Sequence, residues 1–272
     1  MEQTNLRHLL FIMKKTVIAR LLIVAVFIVL LVSSAAHSDE HGAAEMVGAT
    51  PLILAAEAGE TDTVKTLLDK GADIQAKDEN GTTALMWAAE NGHADTVRVL
   101  LDRKAGVDTT DTFGTTALMY AALNGHADVA KILLAAGADV HAKNKQGATA
   151  LMYTVQNGYP DTVKVLLARG ADPNEKAGNG TTAVMVAALK GHSDVVKVFL
   201  AAGANVQAKN NQGATALILA SDQGQTETVK ILLAHGADVH VKDNTGMTAL
   251  MHATRKDHAV IVNLLKQAGA KE

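Results

Sequence analysis

Methionine and histidine are the residues whose types and spacing first suggest chemistry. Met86, Met119, Met152, Met185 and Met251 recur at multiples of 33 residues, and a thioether is a soft ligand suited to copper or haem iron. Equivalent positions on stacked helical units stand roughly 10 Å apart, too far for two sulfurs to share one ion. Filling irregular gaps in a core is the reading these methionines support. His93, His126 and His192 repeat within Gly-His turns, while His141 and His240 sit where a helix gives way to a hairpin. None has metal-ligand spacing to a second ligand. The exception is Asp39-Glu40-His41. Cleavage after Ser38 would turn it into a free amine, two backbone nitrogens and a third-position imidazole, a square-planar set for Cu(II) or Ni(II).

General acid–base chemistry finds no foothold. Asp73, Asp139 and Asp172 recur with the same period, so they belong to turns and not to a unique carboxylate pair. The chain has no Cys, no G-x-S-x-G, no H-E-x-x-H and no phosphate-binding loop. The expectation is a protein that is not an enzyme, with no catalytic residue, cofactor or metal ligand assigned. The rival reading is a periplasmic metal-binding or enzymatic protein that uses the His and Met residues.

The elements that would position these side chains are set by glycine. Gly48, Gly81, Gly114, Gly147, Gly180, Gly213 and Gly246 fall every 33 residues, each followed two residues later by Thr. A second ladder runs through Gly59, Gly92, Gly125, Gly158, Gly191 and Gly224, and a third through Gly71, Gly137, Gly170, Gly203, Gly236 and Gly269. Threonine after the first glycine can cap a short helix such as Ala84–Asn91. Glycine after it reaches the left-handed conformation that closes a helix. A second helix, Ala94–Arg103, carries Val97, Leu100 and Leu101 on one face. One such unit cannot bury its apolar face, so the units must stack into an all-α solenoid. Lys104 stands where the second unit's third glycine belongs, which predicts strain or a displaced turn, with Gly106 taking the left-handed position. Leu68, Leu101, Leu134, Leu167, Leu200 and Leu233 form the expected inter-unit face, and Lys266 replaces leucine in the seventh unit as a cap.

This pattern resembles the ankyrin repeat, D-x-x-G-x-T-P-L-H-x-A-A-x-x-G-H followed by V-x-L-L-L-x-x-G-A-D-V-N-A. The likeness covers 45–272, with seven repeats starting near 45, 78, 111, 144, 177, 210 and 243. Only Thr50-Pro51-Leu52 keeps the family's proline, and methionine or isoleucine stands where the family has histidine. The resemblance implies a binding scaffold that holds a protein partner in a concave groove of hairpin tips and first helices. Mapped onto that groove, Trp87, Tyr120 and Tyr153 share one helix position in repeats two to four, and Phe113 lies on the third hairpin. These four are the expected contact patch. Glu79, Asn80, Glu90, Asn91, Asn124, Gln156 and Asn157 are its expected polar rim. The helix aromatics also admit a framework reading, since that position is often semi-buried in the family. A lysine row, Lys77, Lys143, Lys176, Lys209 and Lys242, precedes the hairpin tips, and Asp95/Arg98, Asp128/Lys131, Asp161/Lys164 and Asp194/Lys197 form surface pairs three apart.

Residues 1–38 read as a secretion signal, with Met13 as an alternative start and 39–44 as a short segment before the repeats. Lys14 and Lys15 precede the unbroken apolar run Leu21–Val32, and Ser33 to Ala36 offer small residues for cleavage after Ala36 or Ser38. The run is shorter than the roughly 20 residues that span a bilayer, so no membrane attachment is expected after cleavage. The Lys-Lys leader points to a bacterial protein, periplasmic or secreted. Over the 272 residues the net charge is −3. Removing the leader's four basic residues and one acidic residue takes −3 to −6, a surface that phosphate backbones repel, which argues against nucleic acid. The expected protein is therefore a monomeric exported adaptor, supporting a periplasmic enzyme or neutralising a toxin.

Overall fold

A threonine two residues after glycine starts the first helix of every unit. At Thr50, Thr83, Thr116, Thr215 and Thr248 the hydroxyl accepts the backbone N–H three residues on, which satisfies an orphan donor of the first turn. Thr149 and Thr182 have the same extended backbone but make no such bond. The chain is described here by a computed structural model over residues 48–271. The leader (1–38), Met13, the segment 39–44 with Asp39-Glu40-His41, and residues 45–47 lie outside the described residues.

Fourteen helices follow among the described residues, alternating between an inner and an outer row. The first helices of the pairs are α1 (Pro51–Glu57), α3 (Ala84–Glu90), α5 (Ala117–Leu123), α7 (Ala150–Tyr153), α9 (Ala183–Lys190), α11 (Ala216–Asp222) and α13 (Ala249–Arg255). The second helices are α2 (Thr61–Asp69), α4 (Ala94–Asp102), α6 (Ala127–Ala135), α8 (Pro160–Ala168), α10 (Ser193–Ala201), α12 (Thr226–Ala234) and α14 (Ala259–Gln267). The described residues contain no strand; three isolated bridges, such as Lys77 with Thr83, close hairpin bases. Each pair packs on the next, so the core runs along the stack through Met86, Leu100, Met119, Leu133, Leu166, Met185 and Phe199, all fully buried. That burial places the methionines in the framework.

The second glycine ladder is needed twice over. Gly125 has φ +74°, and a Cβ there would lie 2.4 Å from the Tyr159 ring of the next unit. Gly59, Gly92 and Gly158 meet His93, His126 and His192 in the same way. Each of those histidines reaches back to a backbone carbonyl of the preceding unit, His93 Nε2 to Glu57 and His126 Nε2 to Glu90, both at 2.8 Å. The third ladder differs, because around Gly71, Gly137 and Gly170 there is open space and only the positive φ selects glycine.

That difference explains the two exceptions. Lys104 itself adopts φ +69°, and Gly106 does not take the left-handed position. The turn is therefore not displaced: side-chain space is free at this site, so lysine costs only backbone strain. Asp257, in the second ladder's place in the last pair, has φ +58°, a region that Asp tolerates better than most residues. Lys104→Gly is expected to stabilise the protein by about 0.5–1 kcal/mol after the added freedom of the unfolded chain is subtracted. Asp257→Gly should give less, because Asp tolerates this region better. Thermal melting reads both, and a Tm for Lys104→Gly at or below that of the parent would sink the strain argument.

The expected inter-unit leucine row also needs correction. Leu101, Leu134, Leu167, Leu200 and Leu233 are only half-buried; the row one residue earlier, Leu100, Leu133, Leu166, Phe199, Leu232 and Leu265, is fully buried. Helical geometry turns that earlier position into the stack, so Lys266 replaces a residue already near water and is a weaker cap than its leucine equivalents suggested. The fourth pair is irregular as well. Thr154 and Val155 replace an Ala-Ala found in most of the other first helices. β-Branching disfavours the helix, and the Thr154 hydroxyl donates to the Leu151 carbonyl at 2.7 Å, so α7 stops after four residues.

Candidate functional site

The hairpin tips are pinned by Asp or Asn at their bases. Asp78 Oδ1 accepts the N–H groups of Asn80 and Thr82 at 2.9 and 2.8 Å, and Asp111 Oδ1 accepts those of Phe113 and Thr115 at 2.8 and 2.7 Å. Adjacent tips are also joined backbone to backbone: Thr112 donates to Asn80, Lys145 to Phe113 and Asn211 to Asn179, at 2.9–3.0 Å. The recurrent Asp73, Asp139 and Asp172 likewise accept backbone N–H groups within their turns.

At three hairpin bases the other polar atom of the Asp or Asn side chain reaches the aromatic position nine residues on. Trp87 Nε1 donates to Asp78 Oδ2 at 3.1 Å, Tyr120 Oη donates to Asp111 Oδ2 at 2.9 Å, and Tyr153 Oη accepts from Asn144 Nδ2 at 2.9 Å. Burial, then the Asp111 charge, pushes the Tyr120 phenol well above its usual range, so it stays a neutral donor. Trp87 and Tyr153 are 6% and 7% exposed. These rings thus lie in the framework and expose little surface to a partner. Phe113 stands apart, 51% exposed on a tip whose N–H and C=O are both engaged.

The expected rim divides. Glu79, Asn80, Asn91 and Asn157 are exposed, and Asn124 and Glu90 are half-buried. Gln156 is instead buried, 6% exposed, with its Nε2 lacking a hydrogen-bond partner. The early end of α7 carries it inward. Asn91, Asn124 and Asn157 each donate through Nδ2 to a carbonyl, of Trp87, Tyr120 and Leu123 respectively. Burial, and then the nearby Glu57 carboxylate, pushes the Glu90 carboxyl up to about 7.

The lysine row braces neighbouring hairpins. Lys77 donates to the Thr110 carbonyl at 2.8 Å, Lys143 pairs with Glu175 at 2.6 Å, and Lys176 donates to the Lys209 carbonyl at 3.3 Å. The four acid–base pairs on the outer helices form at 2.7–3.2 Å and are exposed, contacts that contribute little.

One cluster escaped the sequence reading. His252 occupies the aromatic position of the last pair. Its Nδ1 lies 3.0 Å from Asp222 Oδ1, its Nε2 lies 2.8 Å from Asp243 Oδ2, and Arg255 Nη2 donates to Asp222 at 3.0 Å. Burial alone would lower the His252 pKa, but hydrogen bonds to Asp222 and Asp243 and their charges raise it overall. Asp222 is held down to about 2, chiefly by the bond to His252. The signal was present, since Asp243 precedes His252 by the same nine residues that separate Asp78 from Trp87. A histidine with a raised folded pKa stabilises fully below the ordinary imidazole value of about 6.5 and loses that contribution as pH rises through the folded value. Melting followed upward from pH 6 should therefore show a loss that His252→Leu, carrying the Leu219 residue type, does not show. Parallel profiles for the two proteins would refute the assignment.

Among the described residues no three His, Asp or Glu side chains are placed to hold a metal ion, and no helix is long and apolar enough to cross a membrane. The family model described as ankyrin repeats (3 copies) matches residues 25–111, 103–177, 151–243 and 184–272. Among solved structures, the human ASB11 ankyrin repeat domain is 26% identical with a TM-score of 0.75, covering 82% of this chain and 99% of its own. The ankyrin repeat domain of Bcl-3, a member of the IkappaB protein family, is 28% identical with a TM-score of 0.69, covering 81% and 99%. No curated protein matches the chain.

Proposed function

The chain belongs to the ankyrin-repeat family, and on that premise we propose that it is an exported adaptor of seven repeats. It binds one protein partner along the groove between its first helices and its hairpin tips. Phe113 carries this reading. A large apolar ring held in water, on a tip whose backbone is fixed from both sides, adds contact area at little ordering cost. The exposed Glu79, Asn80, Asn91 and Asn157 supply a polar rim, while Trp87, Tyr120 and Tyr153 hold the helices against the hairpins. The apolar run and small residues of 1–38 support export to the periplasm or beyond, where support of an enzyme or neutralisation of a toxin are roles for such an adaptor. The N-terminal residue of the processed protein is then His37 or Asp39, and an intact leader on soluble periplasmic protein would exclude cleavage at these sites.

Capture from periplasmic extract supplies the partner for the decisive comparison. Phe113→Ala is expected to weaken binding by about 2 kcal/mol, near thirtyfold, with unchanged melting. Lys209→Ala, an exposed charge three hairpins further on, should cost under about 1 kcal/mol. If Lys209→Ala is the more damaging, recognition runs along the lysine row and Phe113 is not the anchor.

A further inference from the structure

Three ionisable side chains on the inner helices, Glu57, Glu90 and Lys190, have no counterion among the described residues. Glu90 closes α3, half-buried, and no donor or cation reaches its carboxylate; its charged neighbour is another acid, Glu57. Lys190 closes α9, is exposed, and makes neither a hydrogen bond nor an ion pair; desolvation against the helix row still lowers its pKa from the ordinary lysine value. The cations within the outer helices between Glu90 and Lys190, namely Arg98, Lys131 and Lys164, each pair with an acid three residues before. Between them the row remains under-satisfied. Gln156 Nε2 has no acceptor, and no donor reaches Oδ1 of Asn91, Asn124 or Asn157, which engage only through Nδ2.

Glu90 and Lys190 are three units apart, roughly 30 Å at the spacing of packed helices. A polyproline-type segment advances about 3.1 Å per residue and presents every third side chain to the same side. Its facing positions therefore recur every ~9 Å, close to one unit of the stack, and nine residues cover the interval. Its backbone N–H groups have the asparagine Oδ1 atoms to donate to. We propose that the partner presents an extended segment, with a cationic side chain seated at Glu90 and an anionic side chain about nine residues away seated at Lys190. This rests on the groove reading above and adds to it the charge order and length of what lies there.

The test is selection of a random twelve-residue peptide display library on the full chain, followed by affinity measurements on the enriched peptides. Lys or Arg should occur eight to ten positions from Asp or Glu, with Glu90→Gln and Lys190→Met each weakening binding about tenfold or more. The double exchange Glu90→Lys with Lys190→Glu should select peptides of the opposite charge order. Peptides that lose affinity with Phe113→Ala but ignore Glu90→Gln and Lys190→Met would overturn this inference and leave the groove reading standing. Enriched peptides insensitive to all three substitutions, or no enrichment, would overturn both the inference and its premise of a segment-binding groove. A second copy of the chain as the occupant would show as concentration-dependent self-association abolished by the same charge substitutions, which equally overturns the proposal.

Discussion

Gly125→Ala is expected to cost about 2–4 kcal/mol of stability, while Gly137→Ala, twelve residues on, costs about 1 kcal/mol. Both glycines have positive φ, +74° and +93°, and alanine there carries a similar backbone penalty. They differ in what stands beyond. A Cβ at Gly125 would meet the Tyr159 ring at 2.4–2.7 Å, whereas nothing lies within 4 Å of one at Gly137. Tyr159 is the N-cap of α8 and precedes Pro160, so its backbone is held and the ring must leave the unit it packs against. Overpacking of that kind adds about 1–3 kcal/mol. Denaturant unfolding of the two variants reads the difference. Equal losses would show that conformation alone maintains the second ladder and that the inter-unit contact at Tyr159 contributes nothing.

This contrast marks what can be read from the sequence. The period, the helix pairs and the left-handed turns were legible because glycine and threonine act locally: a cap or a positive φ is decided within four residues. Which glycine also needs empty space was not, because the atom that would collide belongs to a residue 34 positions later. The same distance hid the fate of Gln156. Its neighbours Thr154 and Val155 shorten the helix by β-branching, and only the stack shows that this shortening turns the side chain inward. Lys104 failed in the opposite sense. A rule about backbone preference moved the left-handed turn to Gly106, although open space let lysine occupy it directly.

The site was legible in part. Phe113 was singled out from its place on a hairpin tip, where nothing in the repeat pattern asks for an aromatic ring, and the ring is exposed there. The helix aromatics were placed at the right position, yet their function turns on a partner nine residues upstream. Asp78, Asp111, Asn144 and Asp243 stand opposite Trp87, Tyr120, Tyr153 and His252, whereas Ala177 stands opposite Val186. Polarity at one position is thus mostly matched by polarity at the other, Asn210 opposite Leu219 being the exception. That matching is the mark of a tie between helix and hairpin and not of a surface kept for a partner.

Trp87→Ala provides the strongest test of that distinction. The indole is 6% exposed and donates to Asp78 Oδ2, whose other oxygen holds two N–H groups of the hairpin. Truncation leaves a large cavity and takes a donor from a buried carboxylate, so about 3–5 kcal/mol of stability should be lost. Trp87→Phe keeps most of the ring but not the N–H, and about 1–3 kcal/mol is expected, the cost of stranding the acceptor. Phe113→Ala, by contrast, should change stability by less than about 0.5 kcal/mol, as surface substitutions do. Affinity for the partner then separates the roles. At a temperature where all three variants are folded, Phe113→Ala should bind weakly, and the two Trp87 variants should bind nearly as well as the parent. A Trp87→Ala protein that melts like the parent but has lost its partner would return the indole to the contact surface, and with it Tyr120 and Tyr153.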